Sequence, residues 1–452
     1  MDVRIIVETE FENGTIRRQH LGRLSRPFRS TQPEGFGLLL EDAKSMLWQL
    51  QQAILLDQIE EISEASRVCP DCNKVRAIHD YRSRVLDTLF GRFHVKAPRI
   101  RRCACNAKSD VTFGGPLSPL SRFFPDRSTP ELRRLQAELG ARHSFREAAR
   151  ITEMFLPCAK QQNTTIRNRL GKTAREISVS VNVEPEVSSA GKNAAPVTVF
   201  LDGAHIRCRP EYQKRHLDVV VGKVESSHMC RRFGLVQQAA RSPAGQLRQA
   251  LRETGWDDQS RVTVISDGEP ALLNLVRHAA GGPVRHILDW WQISMRVKHV
   301  ENAVKGLLQA KTFPGIPVLF ERPANRMRWY LWHGKVRAAT TDLQWLLTDC
   351  ERLCKDDPEV RDAATRVQAR CRELYSYLAN NMDNLTNYGQ RYRNGLPISS
   401  SRAEGCADDI GNTRMGKRRR MRWSPKGAHH VAIVRAAVLD GRLTSAYQRA
   451  AA

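Results

Sequence analysis

Long hydrophobic runs are absent from this sequence of 452 residues. No segment approaches the roughly 18 consecutive apolar residues that a membrane-spanning helix needs. The opening residues, MDVRIIVETEFENG, have acidic side chains where a secretory signal peptide would have its apolar core. These absences argue against a membrane span and against secretion, so we expect a cytoplasmic protein.

Acidic residues are few compared with basic ones. The chain has 48 Asp and Glu residues against 72 Lys and Arg residues, which gives a formal net charge of +24. This charge predicts polyanionic partners. Hydrophobic residues make up 41% of the chain, which argues against global disorder. The length predicts about three domains, at roughly 100 to 200 residues per domain.

The eleven cysteines do not have the pattern of a disulfide framework, because they are odd in number and scattered along a long chain. We therefore interpret cysteine clusters as metal sites first. Four thiolates in two knuckles, CPDC and CAC, suit a closed tetrahedral zinc site. The alternative is four unrelated buried cysteines. The predicted zinc ligands are Cys69, Cys72, Cys103 and Cys105, with His79 and His94 as spare ligands.

Periodicity and composition indicate an α+β multidomain protein. Apolar residues recur at helical spacing over residues 36–66, in an arm for packing or oligomerisation. Further along, three strand-like runs are followed by alternating helix and strand, which predicts a mixed sheet with helices packed on it. The predicted parts are an N-terminal helical arm at 1–66, a zinc-binding β module at 67–120, a helix-turn-helix at 128–180, a linker at 181–196, the sheet domain at 197–300, a helical insertion at 301–390 and the C-terminal part of the sheet domain at 391–452.

Three short helical patterns over residues 128–178 match a helix-turn-helix. The first begins at Pro130 and stops at Gly140. The second has Ser144 and Glu147 at capping-box spacing and buries residues up to Phe155. An ordinary helical hairpin is the alternative. The third follows Asn163, and its polar face, which we predict to contact DNA, carries Arg167, Asn168, Arg169 and Lys172.

Carboxylates at the ends of predicted strands are the strongest chemical signal. VTVFLDG places Asp202 at a strand end, VTVISDG does the same for Asp267, and Glu404 follows on a predicted helix. A single Asp-Gly after a strand is usually only a turn. Three carboxylates from separated segments, however, can hold two divalent cations for phosphodiester chemistry.

A run of basic residues with no acidic one follows Glu404 in the sequence. Phosphates bound there would lie beside the metal ions. The alternative is a solvated face, but Met421 and Trp423 within the run favour a structured, partly stacked surface. The predicted phosphate-binding residues are Arg414, Lys417, Arg418, Arg419, Arg420, Arg422 and Lys426.

Four segments together resemble the catalytic motifs of bacterial insertion-sequence transposases: FLDGAHIR, VISDG, HILDWWQISMRVKH and SSSRAEGCADDIGNTRMGKRRRMRWSPKGAHH. The nearest group is the Kra-type elements, which are related to the mutator-like superfamily. The resemblance implies an RNase H-like catalytic core with a helical insertion between Asp267 and Glu404. It identifies Asp202, Asp267 and Glu404 as the catalytic triad. Relatives tend to carry a His at the position of Gln292. Either His299 substitutes for it or the histidine is dispensable, and Asp289 is a candidate auxiliary residue.

The resemblance further implies a DNA transposase that uses Mg²⁺ or Mn²⁺ to cleave phosphodiester bonds at the element ends and then joins the 3′-OH to target DNA. The partners would be double-stranded terminal inverted repeats, target DNA and at least a second copy of the chain, in a bacterial, nucleoid-associated complex. Two alternatives remain open. They are a catalytically inactive, domesticated transposase that acts as a DNA-binding regulator, and an RNase H-like nuclease without strand transfer.

Overall fold

The computed structural model describes residues 1–26, 33, 36–103, 105, 115–179, 196–258, 260–310 and 316–444. The chain divides into two compact units: unit 1 is residues 1–173 with 443–452, and unit 2 is residues 174–442. The predicted linker lies outside the described residues, apart from its last residue. Among the described helices, none has the length and apolar character needed to cross a membrane.

Unit 1 contains two hairpins and a group of helices. Its elements are β1 (Asp2–Glu10), β2 (Ile16–Ser25), α1 (Leu40–Ala65), β3 (Ile78–Thr88), β4 (Gly91–Ile100), α2 (Pro119–Phe123), α3 (Pro130–Arg142), α4 (Phe145–Phe155) and α5 (Asn163–Val179), whose last residues belong to unit 2.

The first hairpin corrects the prediction of a helical arm over residues 1–66. The helix forms as α1, but β1 and β2 pair antiparallel ahead of it. Exposed and half-buried positions alternate along most of both strands, and Gly14 adopts a φ of 76° in the turn between them. Asp57 of α1 holds the hairpin, because its carboxylate accepts hydrogen bonds from Thr9 (2.9 Å) and Arg17 (2.6 Å).

The second hairpin, β3 with β4, forms the predicted β module. Leu86 and Phe93 from its two strands pack with Leu55 and Ile59 of α1 in one buried cluster. The hairpin therefore has a hydrophobic support, and the cysteine pairs lie just before β3 and just after β4.

The three predicted helices form as α3, α4 and α5, with two differences. Helix α3 continues past Gly140 to Arg142, because Gly140 does not cap the helix but provides space for Ile166 of α5: a Cβ there would lie 3.0 Å from that side chain. Helix α4 begins as predicted, with the Ser144 hydroxyl accepting from the Glu147 backbone N–H (3.1 Å). Phe155, predicted to be buried, is 52% exposed.

Unit 2 combines a mixed sheet with many helices. Its elements are β5 (Val197–Arg207), β6 (His216–Glu225), β7 (Cys230–Val236), α6 (Pro243–Glu253), β8 (Val262–Ser266), α7 (Pro270–Ala280), β9 (Arg285–Leu288), α8 (Trp290–Ala310), α9 (Ile316–Trp332), α10 (Val336–Asp356), α11 (Arg361–Asn380), α12 (Tyr388–Arg393), α13 (Ser401–Cys406), a π-helical stretch (Ala407–Asn412), α14 (Thr413–Met415) and α15 (Pro425–Leu439).

The five strands confirm the predicted mixed sheet. Their order is β7-β6-β5-β8-β9; β5, β6 and β7 are antiparallel neighbours, and β8 and β9 run parallel to β5. Side chains of β5 alternate between two buried clusters. Val199 and Leu201 pack in the cluster that contains residues of α6 and α7, whereas Phe200 packs in the cluster of the helical insertion.

The helical insertion begins earlier than the predicted residue 301. Helix α8 starts at Trp290, and its buried residues Ile293, Val297 and Val304 form a continuous stripe that joins the core of α9, α10 and α11. The stripe crosses the predicted boundary without a break. The insertion is therefore built directly onto the end of β9.

Candidate functional site

Asp202 lies within a strand and not at its end, contrary to the prediction. Strand β5 continues to Arg207 in its pairing with β6, but its pairing with β8 stops at Phe200. Asp202 is therefore beyond the end of β8, where one side of β5 is open. Burial raises the pKa of its carboxyl to about 6, and the negative charges of Asp267, Glu404 and Asp289 contribute in the same direction, against the lowering effect of a backbone hydrogen bond from Gly203.

Asp267 follows directly after β8, as predicted. Its side-chain oxygen accepts a hydrogen bond from the Glu269 backbone N–H (3.1 Å). Gly268 turns the chain with a φ of 96°. The Tyr377 hydroxyl of α11 donates to the Asp267 carbonyl (2.8 Å). The insertion thus supports the loop that carries Asp267.

Glu404 lies on α13, the predicted helix. Its backbone N–H donates to the Ser400 carbonyl (3.2 Å) in the first turn. Burial raises the pKa of its side chain, and the negative charges of Asp289 and Asp408 raise it further. Helix α13 packs against β5, the strand that carries Asp202, so these segments approach one another although they are far apart in sequence.

Asp289 is a fourth carboxylate and is completely buried at the end of β9. It accepts hydrogen bonds from the Trp291 backbone N–H (2.8 Å) and from the Ser400 hydroxyl (2.5 Å). The sequence indicated it only as an auxiliary residue. Of the two residues considered for the histidine role, Gln292 accepts from Arg296 (3.0 Å) and His299 is exposed.

The negative charges of Asp202, Asp267, Asp289 and Glu404 influence one another, but these carboxylates do not form a compact group of metal ligands in the described part of the chain. Within the described ranges, only the four cysteines place their ligand atoms all within 4.8 Å of one another. Asp202 and Asp267 nevertheless have oxygen ligands of the kind that hard divalent cations prefer, and the charges of Asp267 and Glu404 add to the effect of burial in raising the pKa of Asp202. The type of ligand atom, though not a compact ligand set, therefore suits Mg²⁺ or Mn²⁺.

The cysteine cluster fits zinc by its geometry. The Sγ atoms of Cys69 and Cys105 are 3.6 Å apart, and those of Cys72 and Cys103 are 3.3 Å apart. A tetrahedral site with zinc–sulfur bonds of about 2.3 Å has sulfur–sulfur edges of about 3.8 Å. A backbone hydrogen bond from Cys105, with further bonds from the other thiols, lowers the pKa of Cys103 to about 7. The four cysteines could therefore bind one zinc ion, without His79 or His94.

The polar residues of α5 predicted to contact DNA divide into two pairs. Arg167 and Asn168 are exposed. Arg169 is partly buried, which lowers its pKa, and it donates to the Asp126 carbonyl (3.4 Å). Lys172 forms an ion pair with the Asp126 carboxylate. Only the first pair is freely presented to solvent.

The basic run is largely exposed, with one exception. Arg418, Arg419, Arg420, Arg422 and Lys426 are exposed, and the backbone of Lys417 lies in a 3₁₀ turn with the first two of them. Arg414, in contrast, is 2% exposed and its guanidinium lies 4.9 Å from the centre of the Trp423 ring. Burial lowers the pKa of Arg414 to about 10, and nearby Arg435 contributes to this. Arg414 is therefore a buried residue that packs against Trp423 within the basic run, and it is not presented to solvent.

Backbone hydrogen bonds attach the end of the basic run to the strand that carries Asp202. Trp423 donates its backbone N–H to the Arg207 carbonyl (2.9 Å), and its own carbonyl accepts from Arg209 (3.0 Å). The sequence did not reveal this connection, because more than 200 positions separate the two segments.

Comparisons of the chain with protein-family models and with curated proteins give no match. The assignment of a function therefore depends on the residues and geometry described above.

Proposed function

We propose that the chain is a DDE-type DNA transposase with an RNase H-like catalytic core. The observation that carries the proposal is the placement of Asp202 and Asp267 where the pairing of β5 with β8 ends, with the helix that carries Glu404 packed against β5. The charges of Asp267 and Glu404 add to the effect of burial in raising the pKa of Asp202. The mixed sheet, which has β5 at its centre, is compatible with that core. The resemblance of the four sequence segments to bacterial insertion-sequence transposases suggests the family.

In this proposal, Asp202, Asp267 and Glu404 hold Mg²⁺ or Mn²⁺. The bound cations would stabilise the charge that develops on the attacking and leaving oxygens of a phosphodiester. The protein's own contribution is positioning: the Gly203 N–H orients Asp202 (2.8 Å), and Tyr377 supports the loop of Asp267. Water would be the first nucleophile, and the freed 3′-OH would attack the target strand.

The basic run would bind the phosphates beside the carboxylates. Arg418, Arg419 and Arg420 are exposed, and the run is fixed to β5 through Trp423. Phosphate neutralisation by arginine supplies affinity but no sequence information. The run therefore suits both element ends and target DNA.

Unit 1 would recognise the terminal inverted repeats. In this role the cysteine-flanked hairpin and the helices α3, α4 and α5 would form the DNA-binding part, and the exposed Arg167 and Asn168 would provide groups suited to base edges and phosphates. Two ends in one complex require at least two copies of the chain.

The test is an in vitro reaction with the inverted repeats that flank the gene. The full-length protein, Mg²⁺ and labelled end DNA are incubated with a target plasmid, and cut and joined strands are mapped. We expect cleavage at the element ends followed by covalent joining to the plasmid. Binding without cleavage would support a DNA-binding regulator, and cleavage without joining would support a nuclease.

A further inference from the structure

Asp289 joins the start of α8 to the start of α13. One of its oxygens accepts from the Trp291 backbone N–H (2.8 Å), and the other accepts from the Ser400 hydroxyl (2.5 Å). A second hydrogen bond runs beside this one, from the Trp290 backbone N–H to the Ile398 carbonyl (3.0 Å). Two adjacent residues at the end of β9 therefore hold the segment that leads into α13.

Ser400 connects Asp289 to the helix that carries Glu404. It precedes α13, and its carbonyl accepts the backbone N–H groups of Ala403 (2.6 Å) and Glu404 (3.2 Å). The same residue thus donates its hydroxyl to Asp289 and anchors the first turn of the helix that carries Glu404. Helix α13 continues without a break into the π-helical stretch and α14, so Ser400 anchors the N-terminal end of a helical segment that spans residues 401–415.

We propose that Asp289 is a positioning residue that fixes Glu404 through Ser400. The inference rests on the proposed function for the role of Glu404, but the contacts themselves do not. Both oxygens of Asp289 already accept hydrogen bonds, and its side chain is completely buried. These features separate it from Asp202, which is only partly buried beside the open side of β5.

Conservative and radical substitutions separate positioning from direct cation binding. Asp289→Asn keeps an oxygen for Trp291 N–H and gains an amide that can donate to the Ser400 oxygen, so the link survives. Asp289→Ala removes both contacts. Ser400→Thr keeps the hydroxyl, whereas Ser400→Ala removes it. Ser401→Ala is the matched control, because Ser401 is an exposed neighbour in α13.

The first readout is hydrogen exchange of the metal-free protein, which requires no activity. Hydrogen bonds to charged groups are strong, so their loss should make the Ala403 and Glu404 amides exchange at least about tenfold faster in Ser400→Ala and in Asp289→Ala. The Asn, Thr and Ser401→Ala variants should stay close to wild type. Unchanged exchange in both alanine variants would overturn the proposal.

The second readout is the Mg²⁺ concentration that gives half-maximal end cleavage. Positioning predicts that this concentration rises in the two alanine variants and stays near wild type in Asp289→Asn and Ser400→Thr. An Asp289→Asn protein that exchanges normally but cannot cleave would identify Asp289 as a direct ligand and contradict the inference. A wild-type protein that cleaves no DNA would refute the proposed function, whereas the exchange data would still decide the positioning role.

Discussion

Gly268 and Gly203 follow the two aspartates in identical Asp-Gly pairs, yet we predict that only the substitution of Gly268 by alanine is strongly destabilising. Gly268 has a φ of 96°, and a Cβ there would lie 2.7 Å from Asn381 Oδ1 and 2.9 Å from Leu288 Cδ1. The backbone strain costs about 1–2 kcal/mol, and forcing an extra carbon into a packed site costs about 1–3 kcal/mol more. Gly268→Ala should therefore destabilise unit 2 by about 2–5 kcal/mol.

Gly203→Ala is the matched control. Gly203 lies in extended strand β5, and a Cβ would meet only Glu269 Oε2, at an ordinary 3.7 Å. Its free energy of unfolding should change little, because alanine loses less backbone entropy on folding than glycine.

Thermal unfolding followed by tryptophan fluorescence is a suitable assay, because every tryptophan except Trp48 lies in unit 2. At about 2 °C per kcal/mol for a unit of this size, Gly268→Ala should lower the Tm by roughly 4–10 °C. Equal Tm shifts in the two variants would refute the distinction between the loop after β8 and the continuous strand β5.

Three further predictions concern zinc, salt and pH. Metal analysis should find one zinc per chain, which is lost in Cys103→Ser and kept in the control Cys158→Ser; zinc-free wild-type protein would contradict the cysteine site. Replacing Arg418, Arg419 and Arg420 with Ala should reduce the slope of log binding constant against log salt by about 0.9 for each lost phosphate contact, whereas the same charge loss at Arg352, Arg366 and Arg370 of α10 and α11 controls for net charge. The pKa of Asp202 is higher in the folded state (about 6) than its ordinary 3.8, so its contribution to stability is full below 3.8 and is lost as pH rises to 6. Asp202→Asn has no such ionisation, so the Tm of this variant relative to wild type, both metal-free, should rise between pH 4 and 6 and then level off; a constant difference would argue against the buried, coupled carboxyl.

Much of the fold could be predicted from local patterns. The strand-like runs predicted the five strands of the mixed sheet, and Pro130 and Ser144 marked the starts of two helices through backbone chemistry that depends on neighbouring residues only. The first hairpin was not predicted, because its strands, DVRIIVETE and IRRQHLGRLS, do not alternate regularly between polar and apolar residues. The helix end predicted at Gly140 was wrong, since a glycine that provides space for another helix looks the same in sequence as one that ends a helix.

The candidate site was harder to predict from the sequence than the fold, because its contacts join distant segments. The sequence identified Asp202, Asp267 and Glu404 by residue type and context, but not the strand that continues past Asp202. The partners of Asp289 and Asp267, Ser400 and Tyr377, lie 111 and 110 positions away. Arg414 looked like its basic neighbours, and only tertiary packing against Trp423 distinguishes it.

In the proposed function, Glu404 acts in phosphodiester cleavage and not in DNA binding. The substitution Glu404→Gln tests this role most directly. With Mg²⁺ and inverted-repeat DNA, we expect gel-shift affinity to remain at the wild-type level while end cleavage falls at least about a hundredfold, because a cation ligand acts mainly in the transition state. Asp409→Asn, five positions further on and exposed, should cleave nearly as well as wild type. A Glu404→Gln protein that cuts and joins ends at the wild-type rate would contradict the site and the proposed function together.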